Sequence, residues 1–186
     1  VNLTGTDQPE NINSRLVTAG YFKVMKMTPL LGRDFTEADD QPGAAPVTII
    51  SHAFWQQRFG GDPNVVGKQV TLDDKGFTII GVTRPEFYGT VAGQEPDITI
   101  PLTMDAEVRG SSSCLDAHGC WWIATIGRLK PGWTIEQALA ELVAIRGPKI
   151  GDTKVNLNTD WTVQAAHNGF GGLRRRFEEP LKILLG

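Results

Sequence analysis

The sequence contains no apolar run approaching the roughly 18 to 20 residues needed to cross a membrane as a helix, so no stretch of it reads as a transmembrane segment. Reactive groups are scarce, with three histidines and two cysteines in 186 residues. Basic residues are not in excess either. Eighteen Lys and Arg stand against 21 Asp and Glu, a net charge of −3, which argues against a nucleic-acid partner because such a partner favours a basic face. There is no low-complexity tract and no repeat at a fixed period, which excludes solenoid and propeller arrays. Neither an initiating methionine nor a signal peptide is found. The chain opens directly on Val1 and closes on Leu181–Gly186, an apolar run that has only begun, so a piece of a longer protein is expected.

The motifs that carry catalysis are also missing. A phosphate-binding loop needs Gly-x-x-x-x-Gly-Lys-Ser/Thr between a strand and a helix. At Gly67-Lys68 the first glycine is replaced by Asp62 and the hydroxyl residue by Gln69, and a strand follows where a helix N-terminus is required. Gly169-Phe170-Gly171-Gly172 lacks the last glycine of a dinucleotide fingerprint and reads as a turn. No Gly-x-Ser-x-Gly elbow occurs, and His52 and His167 are isolated surface residues by their positions. Cys114, Asp116, His118 and Cys120 alternate, but all four fall in one seven-residue loop, whereas zinc ligands are usually drawn from separate elements. The acidic group Asp34, Glu37, Asp39 and Asp40 lacks the EF-hand spacing with its central glycine. It reads as a solvated helix N-terminus favoured by the macrodipole. No catalytic residue, metal ligand or cofactor is expected.

What is present is a dense punctuation of glycine, proline and short polar residues around apolar segments. Hydrophobic content of 40% with 21% charged residues is that of a folded domain with one core or two small subdomains. Thr18 predicts a short helix through Tyr21, Phe22 and Met25, ended by Pro29 and Gly32. Val47 to Ile50 is a β-branched run and predicts a buried strand. Ser51 then caps a helix that buries Phe54, Trp55 and Phe59 and stops at Gly60-Gly61. Residues 68–73 and 77–83 predict a hairpin turning on Asp74-Lys75-Gly76. A loop over 84–93, a strand over 97–102 and a long loop over 103–120 follow.

Trp121 to Leu129 predicts a strong strand, Lys130-Pro131-Gly132 a turn, and Thr134 with Gln137 a capping box. The helix it opens carries Ile135, Ala138, Leu139, Leu142 and Ile145 at helical spacing and ends at Gly147-Pro148. Trp161 to Ala165 is a further strand candidate. The tryptophans at 55, 121, 122, 133 and 161 read as core or junction anchors, with Trp133 partly exposed. Cys114 and Cys120, set among serines and Gly119, either close a small disulfide loop in an oxidising compartment or remain two free thiols on a surface loop. Such a loop contributes about 2 kcal/mol by chain-entropy reasoning.

The ordered set Gly20-Tyr21-Phe22, Gly32-Arg33-Asp34-Phe35, Val47 to Ser51, Arg58-Phe59-Gly60-Gly61, Val66-Gly67, Phe77 to Val82 and Ile100-Pro101-Leu102 resembles the periplasmic core domain of MacB-type ABC transporter permeases. Gly127 to Gly132 followed by Thr134 to Ala138 is similar to the large duplicated permeases of acidobacteria, and Leu173 to Leu181 is similar to the lead-in to their second transmembrane helix. The resemblance implies an α+β fold in which porter-like strand–helix–strand units are interrupted by a small β-rich, Sabre-like subdomain. It places the porter-like part at 1–44 and 105–172, lacking its expected strand–helix–strand beginning, the Sabre-like insert at 45–104, and the membrane lead-in at 173–186. It further implies a non-catalytic domain on the periplasmic face of the bacterial inner membrane, coupling ATP-driven helix motion to export or to a partner protein. The implied partners are the parent permease's transmembrane helices, an ATP-binding subunit or domain and a periplasmic protein, in a dimeric transporter. The competing readings are a stand-alone extracellular binding module and a metal-dependent enzyme.

Overall fold

A computed structural model describes residues 1–4, 9–91, 93–115, 123–146, 163 and 165–166. The chain divides into two compact units, Val1–Cys120 and Trp121–Gly186. In the first unit the strands are β1 (Asn2–Thr4), β2 (Glu10–Asn11), β3 (Ser14–Val17), β4 (Leu31–Gly32), β5 (Val47–Ile50), β6 (Gln69–Leu72), β7 (Lys75–Val82) and β8 (Ile98–Pro101). They form one mixed sheet in the order β2-β1-β6-β7-β5-β8-β3, with β4 paired to β7 off that path. The pairs β3–β8 and β5–β7 are parallel and the others antiparallel. Helices α1 (Tyr21–Met25), α2 (His52–Phe59) and α3 (Asp105–Arg109) complete it, with 3-10 turns at Leu102–Met104 and Gly110–Ser112. The fold class is α+β, as expected.

Every residue of β5 and of β8 is buried, the pattern of strands covered on both faces. Side chains alternate across a sheet. Accordingly Ile50, Phe77, Ile79 and Val82 pack in one core with Phe54, Trp55, Leu72, Ile98 and Ile100. Val47 and Ile49 pack in a second with Tyr21, Phe22, Phe35 and Ile80. Strand β7 holds this parity only because it carries one extra residue. Thr48 pairs with Ile79 but Ile49 pairs with Gly81, so Ile80 is bulged out.

The structure corrects several sequence expectations. The hairpin turns on Asp73 and Asp74, with φ of 43° and 67°, one residue earlier than expected. Asp tolerates the left-handed region that such a two-residue turn demands, which leaves Gly76 inside β7 opposite Thr71. Thr18 does not cap α1 through its side chain; its carbonyl accepts from Tyr21 N–H, and the helix ends at left-handed Lys26 rather than at Pro29. Residues 102–112 are helical where a loop was expected, because Asp105 opens α3 as an acidic first-turn residue. The sheet also joins residues on both sides of 44/45, since β3 pairs with β8 and β1 with β6.

In the second unit α4 (Ile135–Arg146) forms as expected. Its capping box is present: Gln137 N–H donates to Thr134 Oγ1 at 3.3 Å, and Thr134 N–H donates to Gln137 Oε1 at 2.9 Å. The described part of the expected 121–129 strand, residues 123–129, is not a strand. A strand exists only by pairing its backbone, and Ile123 is 61% exposed instead. Val163 and Ala165 are likewise irregular. Trp121, Trp122, Trp161, Thr162, Gln164 and the Gly147-Pro148 stop lie outside the described residues.

Candidate functional site

Among the described residues, the polar groups that sequence reasoning singled out do not form a common cluster. The three aspartates of the 34–40 segment each have separate structural partners. Asp39 receives both Arg33 guanidinium nitrogens at 2.7 and 2.8 Å, and also Thr36 N–H at 2.7 Å and Thr36 Oγ1 at 2.6 Å. The Arg33 pair leads the forces that hold the Asp39 carboxyl well below the usual carboxylate range, against a partial burial that opposes them. Asp40 accepts Ala19 N–H at 3.0 Å on one oxygen and Thr103 N–H at 3.1 Å on the other, joining the entry to α1 with the end of β8. Asp34 accepts its neighbour Phe35 N–H, and burial raises its carboxyl. The segment is a chain of turns, not the helix N-terminus that was expected.

The Gly67-Lys68 step is a tight turn into β6, with Lys68 Nζ 2.5 Å from Asp62 Oδ2. Trp55 Nε1 donates to the Asp62 carbonyl at 2.9 Å, which closes the loop after α2. His52 lies in the first turn of α2 with its ring edge-on to Trp55 at 5.5 Å. Trp133 is partly exposed, as expected, and carries Lys130 Nζ over its ring at 4.9 Å. The Tyr21 ring packs edge-on against Phe22 and Phe87, and burial raises the pKa of its hydroxyl. Among the described residues no group of three or more His, Cys, Asp or Glu side chains is placed to hold a metal ion. His118, His167, Gly169 to Gly172 and Arg174 to Arg176 lie outside the described residues.

One polar site was not legible in the sequence. Asp105 is 0% exposed, in the first turn of α3. Its Oδ2 accepts Ser113 Oγ at 2.7 Å and Cys114 N–H at 3.0 Å, and its Oδ1 faces Arg109 Nε at 3.1 Å as an ion pair without hydrogen-bond alignment. The only sequence signal would have been the Asp-x-x-x-Arg spacing, which is common on exposed helix faces. Cys114 is a half-cystine, and the described residues contain no free cysteine. Cys120 lies outside the described residues.

The profile of the MacB-like periplasmic core domain matches residues 1–145. The chain belongs to this family. No curated protein matches it in sequence. Among solved structures it is similar to the periplasmic region of MacB from Actinobacillus actinomycetemcomitans, at 18% identity and a TM-score of 0.55 over 78% of this chain and 60% of that one. It is also similar to the extracellular domain of the noncanonic ABC-type transporter YknZ from Gram-positive bacteria, at 21% identity and a TM-score of 0.45 over 59% of this chain and 53% of that one. The MacB likeness shows a shared fold, and the chain spans less than two thirds of the length of either structure. Among the described residues no helix is long and apolar enough to cross a membrane.

Proposed function

We propose that this MacB-like domain is the non-catalytic, extracytoplasmic part of an ABC transporter permease, and that it passes ATP-driven motion of transmembrane helices to an exported substrate or to a partner protein. The family match over residues 1–145 carries this reading. The side-chain chemistry is in keeping with it, because Asp40 and Asp105 serve as structural acceptors, for the backbone N–H groups of Ala19 and Thr103 and of Cys114. On this reading the partners are the parent permease's membrane helices, an ATP-binding subunit or domain and a periplasmic protein, in a dimer at the periplasmic face of the inner membrane. Residues 173–186 would lead into a transmembrane helix. On this reading the Sabre-like part is residues 45–104 and the porter-like part residues 1–44 and 105–172, with β1, β2 and β3 of the latter joining the same sheet as the Sabre-like strands. Cys114 pairs with Cys120, a bond suited to an oxidising compartment.

The test uses the whole transporter in lipid vesicles with its ATP-binding partner. A spin label at Tyr88, which is 64% exposed, reports the distance between the two copies by pulsed electron resonance. The distribution is expected to differ between nucleotide-free and ATP-bound states. Identical distributions in a transporter that still hydrolyses ATP would remove the coupling role.

A further inference from the structure

Strand β3 stands at one end of the sheet order, so only one of its edges is paired. Its register decides which backbone groups are left over. The Asn13 carbonyl accepts Asp97 N–H at 2.8 Å and Ile98 N–H at 3.2 Å, so residue 13 faces β8. Successive residues of a strand direct their N–H and C=O groups to opposite sides. Arg15 and Val17 therefore bond toward β8, and Ser14 and Leu16 present theirs to the open edge. Among the described residues neither Ser14 nor Leu16 has a backbone partner on that side. The opposite end of the sheet differs: β2 has only two residues, and its Glu10 carboxylate is paired with Arg58.

Arg15 is the charge on the β3 edge. Side chains alternate across the sheet, so Arg15 shares a face with Val17, which packs with Tyr21 and Phe22. Its Nη1 donates to Thr90 Oγ1, and Thr90 is 2% exposed, which anchors the half-buried guanidinium at that face. A guanidinium carries five N–H donors in a fork that matches a carboxylate. Among the described residues, however, no carboxylate is paired with Arg15. We propose that the open edge of β3 is a docking site for an extended, acidic segment of a partner protein, which adds as an antiparallel strand and sets a carboxylate opposite Arg15. Main-chain bonds to Ser14 and Leu16 would supply affinity, and the charge at Arg15 would supply selection. In an antiparallel pair Arg15 would occupy a non-hydrogen-bonded position, where facing side chains stand closest. A second copy of β3 is the poorer occupant. The register that pairs Ser14 with Leu16 sets Arg15 against Arg15, and like charges directly opposite are destabilising. The proposal stands apart from the coupling role, since it concerns which surface takes a partner and not what motion passes through it.

The experiment titrates the full, isotope-labelled chain with synthetic peptides that alternate valine and threonine about a central glutamate, glutamine or lysine. Amide resonances of Ser14 and Leu16 are expected to shift with the glutamate peptide, and both N–H groups to become protected from hydrogen exchange. The glutamate peptide is expected to bind about tenfold more tightly than the lysine peptide, with glutamine between them, and Arg15→Glu to reverse that order. Methylating the peptide nitrogens that face β3 removes its ladder donors and is expected to abolish binding. Equal affinities for the glutamate and lysine peptides on the wild type would overturn the proposal, as would binding that leaves Ser14 and Leu16 unperturbed. So would the absence of any change at these amides up to about 1 mM glutamate peptide, which would make Arg15 a guard that keeps the edge unpaired. If Arg15→Glu does not fold, the comparison of the three peptides on the wild type decides alone.

Discussion

Replacing Gly32 by alanine is expected to detach β4 from the bulged strand β7 and cost about 4 kcal/mol, a large part of the 5 to 15 kcal/mol that stabilises a typical domain. At φ of 74° an L-residue is strained by about 1 to 2 kcal/mol. Space is the larger difficulty. A Cβ at this position would stand 2.0 Å from the Ile80 carbonyl oxygen and 2.9 Å from Gly81 Cα, both backbone atoms. Those atoms cannot rotate away, because the Ile80 bulge sets the register of β5 against β7 and the carbonyl accepts Arg33 N–H at 2.9 Å. Relief requires β4 to move off, which breaks that bond and the one from Leu30 N–H to the Val82 carbonyl, each contributing about 1 kcal/mol net. Gly43 supplies the control. Its φ is 79°, yet nothing lies within 4 Å of a Cβ built there, so Gly43→Ala carries the strain alone and is expected to cost about 1 kcal/mol. Urea unfolding of the two variants beside the wild type measures the difference, expected at about 3 kcal/mol and accompanied by a midpoint about 10 °C lower on heating. Equal costs for the two glycines would refute the close-approach argument and leave backbone strain as the whole effect.

Asp39→Asn is expected to lower stability by about 2 kcal/mol at pH 7, the figure being discounted because Arg33 is half exposed and partly screened by water. The folded carboxyl titrates below its unfolded value, so its stabilisation is complete above about pH 5 and is lost as the pH falls through 4 toward the folded value. Unfolding midpoints measured from pH 7 down to pH 2 should therefore converge for variant and wild type; Asp34, raised by burial, contributes in the opposite sense. Ser51→Ala removes the acceptor for Phe54 N–H at 3.1 Å and is expected to cost about 1 kcal/mol by denaturant titration, while Ser51→Gly costs a few tenths.

The elements legible in the sequence are those specified within a few residues. Ser51 and Gly60 bound α2 because a side-chain oxygen and a left-handed residue satisfy that helix's own ends. Thr134 and Gln137 act the same way on α4. Local signals stop at the helix surface, however. Leu142, Val143 and Ile145 on α4 remain exposed, the last at 74%, so the apolar spacing announced a helix without placing its partner. The strand expected over 121–129 is absent from its described residues, 123–129, for the related reason that β-branched and aromatic content measures fitness for a sheet, not the presence of a neighbouring strand. The hairpin was found but set one residue late, because Gly76 outweighed the adjoining Asp73-Asp74 pair in the reading although aspartate also accepts positive φ. Asp105 was missed altogether. Its role depends on the seven residues between it and Ser113 folding into α3 and a 3-10 turn, and no spacing rule encodes that return.

The same distinction bears on what a coupling domain requires. A body that passes on motion must not dissipate it by local opening, and segments held by few buried contacts are the first to open. The stretches joining the strands of the first unit are of that kind, yet three of them are tied at points far apart in sequence. Asp40 links residue 19 to residue 103, Asp97 accepts Asn13 N–H at 2.9 Å, and the Asp73-Asp74 turn is bracketed by Asn2 and Thr4. In each tie an aspartate or threonine oxygen receives a backbone N–H that no ladder would have satisfied. Such a bond stiffens only when both segments are in place, so the three ties add cooperativity to a sheet whose central strands are already buried on both faces. Asp40, expected from the sequence in a solvated helix N-terminus, is therefore part of the frame, and stiffness of that frame is the property a transmitting domain would need.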